Sequence, residues 1–444
     1  MKVQRTIPLF YLAMLLCNSQ IQAEEHVWQV NDIVGKNTII RDVDATHMLV
    51  CGEKNNHYYS FTLVSTGTGL HPEMTVFVDS IFDFEVYNGS DVYFCGSTKN
   101  GTGSYAMLGH FSLTGFPYST VEYVSLPWFY RLRKMDIGWF SNRLHMVAIG
   151  DAVNGKNAVV DAITNSSYWQ IYYSMIDTNN KCRLSDVAIT DSFVVATSTY
   201  KNGLLGFLHT RIWYIPKPTG SGNTLQFSTC RYQNVNETAT TPLLIKWCEG
   251  DVFVTVAKDY MTLHGYVGTP STSFFRVKAY DGYLSIHSVF WGYESYINPR
   301  LKDISYDPDN KVLDCLINVG SNSSQHNVVY HLNQPLSLNP GFAKGHAYDD
   351  IAINSLDRKA SQPGHFIAVG NPVAETETSY LLKYKYDIWN SCFDTDSVYV
   401  SFETPNYTPI DNGLVYNSVL LVPQETYTDT KEHQKMTICH SNKQ

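Results

Sequence analysis

The chain has 444 residues, of which 44% are hydrophobic and 14% aromatic, and it carries a formal net charge of −9 at pH 7. This composition is sufficient for a large buried core, and the frequent Tyr, Val, Ile and Phe residues favour β-strands. The mild negative charge argues against nucleic acid or an anionic membrane surface as the main partner, because both require a basic protein face.

Residues 1–23 have the features of a secretory signal peptide. Lys2 and Arg5 precede an apolar stretch at residues 7–17, and residues 21–23 form a small-residue cleavage site. The apolar stretch is too short to span a bilayer. We therefore predict a secreted, periplasmic or cell-surface protein with no transmembrane segment. Cys17 raises the alternative of a lipid anchor, although Leu16 lies where lipoprotein processing prefers a small residue.

Between Ile40 and Gly370 the chain repeats one pattern: a short strand around an Asp, a tight turn, and an alternating strand that ends near Gly or Ser. The central residues of the successive copies are Asp42, Asp83, Asp136, Asp186, Lys246, Asp303 and Asp350. A third alternating strand follows in each copy, and a shorter fourth strand fits before the next. One such unit cannot bury its own apolar face, so the units must stack on one another.

The repeat resembles a β-propeller, in which sheets of four antiparallel strands are arranged around a central axis. The resemblance covers about residues 30–390 and is generic, since no motif of a particular propeller family is present. It implies an all-β fold, a β-propeller of about seven four-stranded antiparallel blades, with eight blades as the alternative. Helical periodicity is nearly absent, and the two weak helical candidates lie at residues 351–360 and 425–435.

We expect residues 24–390 to form the propeller and residues 391–444 to form closing strands or a tail of the same domain. Residues 24–31 are predicted to close the ring by pairing with the last blade. Alternatively, residues 387–389, 398–402 and 415–422 form a degenerate eighth unit.

The cysteine positions argue against a dense disulfide framework. Without Cys17, eight cysteines remain, an even number that permits disulfides in an exported protein. Cys51 and Cys95 occupy the same place in adjacent repeats, and we predict that they and Cys315 are small buried hydrophobic residues. The better candidates for a disulfide are Cys182, Cys230 and Cys248. Because the sequence has no Cys/His cluster with zinc spacing, we predict no metal site and no cofactor.

The repeated Asp has two interpretations. The first strand of each propeller blade lines the central channel, so the Asp side chains could form an acidic ring that holds a cation. A residue that recurs in almost every unit more often serves the scaffold, for example by accepting backbone N–H bonds at a blade junction. We favour the second interpretation.

Two aromatic segments break the symmetry of the repeat and are the candidate ligand-binding residues. The first contains Trp128, Tyr130 and Arg131, and the second contains Trp291, Tyr293, Glu294, Tyr296 and Arg300. Both are expected in connections that enter an inner strand, at the mouth of the channel. Aromatic planes beside charged groups can stack on sugar rings or grip a peptide. Alternatively, these rings fill the space between blades.

No catalytic residue can be named, because the metalloprotease, serine-hydrolase, phosphate-loop and dinucleotide-binding motifs are all missing from the sequence. We therefore expect a non-catalytic recognition scaffold for a glycan, peptide or protein. The alternative is an extracytoplasmic polysaccharide hydrolase or lyase, because propeller enzymes assemble their sites at the channel mouth from distant loops.

Overall fold

A computed structural model describes the following residues of the chain: 25–31, 39–54, 58–66, 70–100, 103–140, 143–153, 155–164, 168–176, 183–190, 193–202, 207–216, 224–232, 239–248, 251–259, 261–262, 265–266, 271–280, 283–293, 300–321, 324–333, 344–348, 351–360, 362–372, 378–385, 395–397, 399–403, 407–415, 417–426 and 428–441. Within these residues the regular secondary structure is β-strand only, so the protein is all-β, as predicted. The two weak helical candidates of the sequence are wrong, since both segments form strands.

The strands in chain order are β1 (Glu25–Asn31), β2 (Ile39–Asp42), β3 (His47–Lys54), β4 (Tyr58–Ser65), β5 (Leu70–Val76), β6 (Ser80–Tyr87), β7 (Asp91–Asn100), β8 (Gly103–Ser112), β9 (Val121–Leu126), β10 (Phe129–Phe140), β11 (Arg143–Ala152), β12 (Asn157–Thr164), β13 (Trp169–Ile176), β14 (Arg183–Ile189), β15 (Phe193–Asn202), β16 (Phe207–Pro216), β17 (Thr224–Tyr232) and β18 (Ala239–Cys248). The second half of the chain adds β19 (Asp251–Asp259), β20 (Met261–Thr262), β21 (Gly265–Tyr266), β22 (Ser271–Tyr280), β23 (Tyr283–Tyr293), β24 (Arg300–Asp307), β25 (Val312–Ser321), β26 (Ser324–Asn333), β27 (Lys344–Tyr348), β28 (Ile351–Arg358), β29 (His365–Pro372), β30 (Thr378–Lys385), β31 (Thr395–Ser397), β32 (Tyr399–Glu403), β33 (Tyr407–Val415), β34 (Asn417–Leu421), β35 (Gln424–Thr426) and β36 (Thr428–Ser441).

Sets of four strands that follow one another in the chain pair in antiparallel order to make the sheets. Such sets are β6–β9, β10–β13, β14–β17 and β24–β27, and the strands β18, β19, β22 and β23 form another. The strands β2–β5 lie at one end of a nine-stranded sheet, and β28–β30 lie at its other end together with β1. The pairing of β1 with β30 is the closing arrangement that was predicted as one of two alternatives.

The first strands of these sets contact one another in sequence, and the contacts close into a ring. Strand β2 contacts β6, β6 contacts β10, and the series continues through β14, β18, β24 and β28 back to β2. The protein is therefore a ring of antiparallel sheets, as in a β-propeller. The blade number, seven with eight as the alternative, stays a prediction because segments such as residues 386–394 lie outside the described residues.

Steric crowding explains why glycine is found near the end of the second strand in several copies of the repeat. The inner strand carries a β-bulge in several blades, for example between Ile81 and Asp83 and between Leu132 and Lys134. The bulge pushes a backbone carbonyl towards the neighbouring strand. A Cβ on Gly150 would lie 2.0 Å from the carbonyl oxygen of Arg131, so only glycine fits there.

The apolar residues are buried between neighbouring sheets rather than in one central core. One cluster joins β6–β9 to β10–β13 and includes Leu108, Val124, Phe129 and Trp169, all fully or almost fully buried. A further cluster joins the last sheet to the first through Ile367 and residues of β2 and β3. Face-to-face packing of this kind explains why the strands carry few charges on either face.

Cys51 and Cys95 are buried free thiols, as predicted. Burial raises the pKa of both thiols well above the ordinary value. The sulfur of Cys95 donates to the backbone oxygen of Leu132 across the sheet interface. Both residues thus act as small hydrophobic side chains.

The C-terminal strands β31–β36 run around the outside of the ring in the reverse order of the sheets, and we call residues 395–441 the C-terminal belt. Strand β31 pairs with β27, β32 with β23, β33 with β17, β34 with β13 and β35 with β9. The last strand, β36, pairs with β5 through its first half and with β1 through its second half. The belt therefore adds an outermost strand to each sheet and bridges the two ends of the ring.

In the part of the chain that the structure describes, no helix has the length and apolar character that a bilayer crossing needs.

Candidate functional site at the channel mouth

The inner strands surround a central channel that is open to solvent. Its charged lining residues are Arg41, Asp83, Glu85, Lys134, Asp136, Asp186, Asp303 and Asp357. Six carboxylates thus face two cationic side chains among the described lining residues, so the channel is acidic.

The channel carboxylates hold neighbouring inner strands together. Asp136 accepts the backbone N–H of Ile137 with one oxygen and the N–H of Ile189, on the next inner strand, with the other, at 2.9 and 2.8 Å. Asp83 does the same with Phe84 and with Met135 of the next strand, at 3.1 and 3.3 Å. The interpretation of the repeated Asp as a junction device is therefore confirmed for these residues. Carboxylates bind N–H groups more strongly than neutral acceptors do.

A third junction carries additional donors. Asp303 accepts the N–H of Ile304 on its own strand, and its other oxygen accepts the N–H of Leu356 at 3.0 Å and the hydroxyl of Ser355 at 2.6 Å. These contacts join β24 to β28. The Asp303 side chain thus supplies hydrogen bonds between two neighbouring inner strands that belong to different sheets.

Arg41 and Lys134 offset part of the acidic charge in the channel. The guanidinium of Arg41 lies 3.1 Å from Asp83 and 3.1 Å from Glu85. Burial by itself would lower the pKa of Arg41, but the carboxylates of Glu85 and Asp83 outweigh it and raise the pKa. The same balance of burial against Asp83 and Asp186 raises the pKa of Lys134. Both side chains are therefore firmly charged.

Two positions of the predicted Asp series differ in the structure. Asp42 pairs with Met48 whereas Asp83 pairs with Cys95, so Asp42 lies further along its strand and does not line the channel. Asp350 lies outside the described residues, and Asp357 makes the corresponding junction by accepting the N–H of Asp42 at 3.0 Å. Sequence reasoning missed Asp357, Arg41 and Glu85. Alternation is a signal for Glu85, which lies two residues after Asp83 on the same strand.

The first aromatic segment divides into a packed part and an exposed part. Trp128 stacks on Tyr173 with ring centroids 5.3 Å apart and packs against the cluster between two sheets. Its side chain therefore fills space between blades, which was the alternative interpretation. Tyr130 is 49% exposed at the start of β10, where the chain enters the inner strand.

Arg131 and a second arginine share one carboxylate at this rim. The Nε of Arg131 lies 2.8 Å from one oxygen of Asp151, and Nη2 of Arg133 lies 3.1 Å from the other. Arg133 also donates to the backbone oxygen of Leu184 at 3.0 Å. Strands β10 and β14 are thereby linked at the channel mouth, and Arg131 remains 45% exposed.

The second aromatic segment is placed differently from the prediction. Trp291 and Tyr293 lie in the outer strand β23, where they pair with Ser401 and Tyr399 of the C-terminal belt, rather than in a connection. Arg300 is the first residue of the inner strand β24. Glu294 and Tyr296 lie outside the described residues. The described backbone of the second segment lies in a different sheet from the first, and the role of the second segment stays a prediction.

Among the described residues, no group of three or more His, Cys, Asp or Glu side chains is arranged to hold a metal ion.

Comparison with known proteins gives structural likeness only. No protein-family profile matches the chain, and no curated protein matches it. Among solved structures, it is similar to a chain of Drosophila Plexin A in complex with Semaphorin 1b, with 9% identity, a TM-score of 0.41, and coverage of 82% of this chain and 88% of that chain. It is also similar to the extracellular domains 1–2 of Drosophila Semaphorin 1b, with 10% identity, a TM-score of 0.39, and coverage of 79% of this chain and 86% of that chain. A D477G ACO/RPE65 chimera shares 10% identity with a TM-score of 0.20, over 73% of this chain and 95% of that chain. We take no functional argument from likenesses of this extent.

Proposed function

We propose that the protein is an exported, non-catalytic recognition scaffold that binds a glycan, peptide or protein. The binding surface is the connection face, defined as the end of the ring where the chain enters its inner strands. The observation that carries this proposal is the pair Tyr130 and Arg131 at the start of β10, both close to half exposed at the rim. The signal-peptide features of residues 1–23 support export.

The use made of the channel carboxylates supports recognition rather than hydrolysis. Asp83, Asp136 and Asp303 each accept backbone N–H bonds with both oxygens. A catalytic carboxylate has to exchange a proton or attack the substrate, and these carboxylates already have structural partners. The channel therefore serves the scaffold, and the rim provides the accessible groups.

The proposal is tested by probing glycan and extracellular-protein arrays with the full chain and with Tyr130→Ala. The expected result is a ligand whose binding falls about fivefold in the variant, the loss typical of one aromatic contact. Tyr118→Ala is the matched control. Tyr118 is an exposed tyrosine in the β8–β9 connection of the neighbouring sheet, on the opposite face of the ring, and its loss should leave binding unchanged.

Two outcomes contradict the proposal. The first is a set of array ligands that bind the chain and Tyr130→Ala equally. The second is the release of new reducing ends from a bound polysaccharide, because such a release identifies the protein as a hydrolase or lyase.

A further inference from the structure

The connection face carries a basic cluster at the junction of β10–β13 with β14–β17. Arg131 and Arg133 contact the two oxygens of Asp151, and Arg133 also donates to the carbonyl of Leu184. Arg183, the residue before Leu184, begins β14 and is exposed. Two guanidinium groups thus share one carboxylate, and Arg183 adds a third positive charge next to the Leu184 carbonyl that Arg133 contacts, in a chain whose formal net charge is −9.

Among the described residues, the three arginines of this cluster outnumber the single carboxylate, Asp151, that contacts them. Burial lowers the pKa of Arg133, the nearby Asp151 raises it, and the like charges of Arg183 and Arg131 lower it further, with the net shift downwards. The Nε of Arg133 is buried and makes no hydrogen bond among the described residues. An added anion would relieve the repulsion between these groups.

Arg131 and Arg183 are exposed, whereas Arg133 is largely buried, and the surroundings of the two exposed guanidiniums select the type of anion. The apolar residues closest to it in the chain, Leu132, Ala152 and Leu184, are at most 1% exposed, so among the described residues they form no open pocket for an apolar peptide anchor. The exposed side chains next in the chain to this cluster are those of Tyr130, which precedes Arg131, and Val153, which follows Ala152. Guanidiniums beside an aromatic ring suit a sugar that carries an acid group.

We propose that Arg131 and Arg183 bind an acidic polysaccharide through its sulfate or carboxylate groups, with Arg133 adding positive charge behind them. This proposal rests on the recognition function above and assigns the class of ligand. The guanidiniums hold the oxyanions in paired hydrogen bonds, and Tyr130 contacts a sugar ring. The acidic channel repels the same polymer, which therefore lies across the rim between β10 and β14 rather than inside the ring.

The test is a binding titration of the full chain with dextran sulfate, polygalacturonate and neutral dextran at physiological ionic strength. We expect binding to at least one of the two acidic polymers, weakening as salt is added, and none to neutral dextran. The double variant Arg131→Gln and Arg183→Gln should bind about tenfold more weakly. The control is Arg143→Gln with Lys99→Gln, which removes the same charge from an exposed arginine on the opposite face and an exposed lysine of another blade.

Dextran sulfate and polygalacturonate distinguish sulfate from carboxylate recognition. An equal loss of binding in the control double variant overturns the proposal, because it shows that only net charge matters. Tighter binding of a polyglutamate peptide than of either polysaccharide also overturns it, since the ligand is then an acidic protein segment. If the arginine variant loses binding while Tyr130→Ala binds normally, the polyanion site stands and the role of the Tyr130 ring in the proposed function is contradicted.

Discussion

Lys359 and Asp42 lie 317 positions apart in the sequence and form a buried ion pair where the ring closes. The same ammonium group donates to the backbone oxygens of Asp44 and His47, in the turn between β2 and β3. The other oxygen of Asp42 accepts the N–H of Ala360 at 2.8 Å. One lysine thus fixes the hairpin turn of the first blade to that of the last.

Replacing Lys359 with Met should destabilise the protein by about 3 kcal/mol, because it leaves the Asp42 carboxylate buried without its cation. The measurement is the free energy of unfolding in urea. Lys99→Met is the control, since Lys99 is largely exposed and lies 3.5 Å from Asp79, and a change below about 0.5 kcal/mol is expected there. Equal stability of the two variants would show that the closing ion pair contributes nothing.

Replacing Asp303 with Ala should also cost about 3 kcal/mol, because the N–H of Leu356 and the hydroxyl of Ser355 lose a charged acceptor. Urea unfolding of Asp303→Ala is compared with that of Asp309→Ala, an exposed residue in the turn after β24. The idea of a junction held by Asp303 fails if both variants unfold at the same urea concentration.

Replacing Gly150 with Ala should destabilise the protein by roughly 3 kcal/mol, because the new Cβ overlaps a backbone carbonyl that can move only with its strand. Gly103→Ala is the comparison, since a Cβ there meets the movable ring of Tyr105 at 3.0 Å. Thermal melting of both variants measures the difference. A higher melting temperature for Gly150→Ala than for Gly103→Ala would be incompatible with the bulge geometry.

Asp44 should contribute stability that depends on pH. Burial alone would raise its pKa, but hydrogen bonds from the backbone of Thr46, the side chain of His47 and the hydroxyl of Thr46 lower the pKa to about 2. Because the folded pKa lies below the unfolded value near 4, this stability is present above about pH 4 and is lost as the pH falls towards 2.

The measurement is the difference in unfolding free energy between the wild type and Asp44→Asn from pH 7 to pH 2. The difference should be constant down to about pH 4 and then shrink. Thr46→Val removes one of the donors and should show a smaller effect of the same sign. A difference that grows on acidification would mean that the charged carboxylate is not the stabilising form.

The sequence predicted the ring of sheets because its repeat combines strand alternation with an Asp in six of the seven copies. It also predicted the burial of Cys51 and Cys95 from their equivalent places in adjacent copies. Both depend on local patterns that recur, and a recurring pattern can be recognised without knowing which residues meet in space.

The sequence did not predict the partners that meet across the ring. Asp357 was not predicted because Asp350, just before the same strand, also fits the repeated pattern of an Asp beside apolar residues. The basic cluster was not predicted, since Arg183 lies 52 positions after Arg131 in the sequence and is brought towards it only by the packing of β10 against β14. The order in which β31–β36 join the sheets had no sequence signal, because edge strands carry no distinctive period.

The C-terminal belt makes completion of the fold depend on the part of the chain that is synthesised after all the other strands. Until residues 395–441 leave the ribosome, the sheets lack the strands that the belt supplies, and their unpaired backbone groups are open to other nascent chains. A stop codon just before β31 would remove about a tenth of the chain and leave these edges bare all around the circumference. Such a truncated protein would aggregate even though its inner strands and channel are intact.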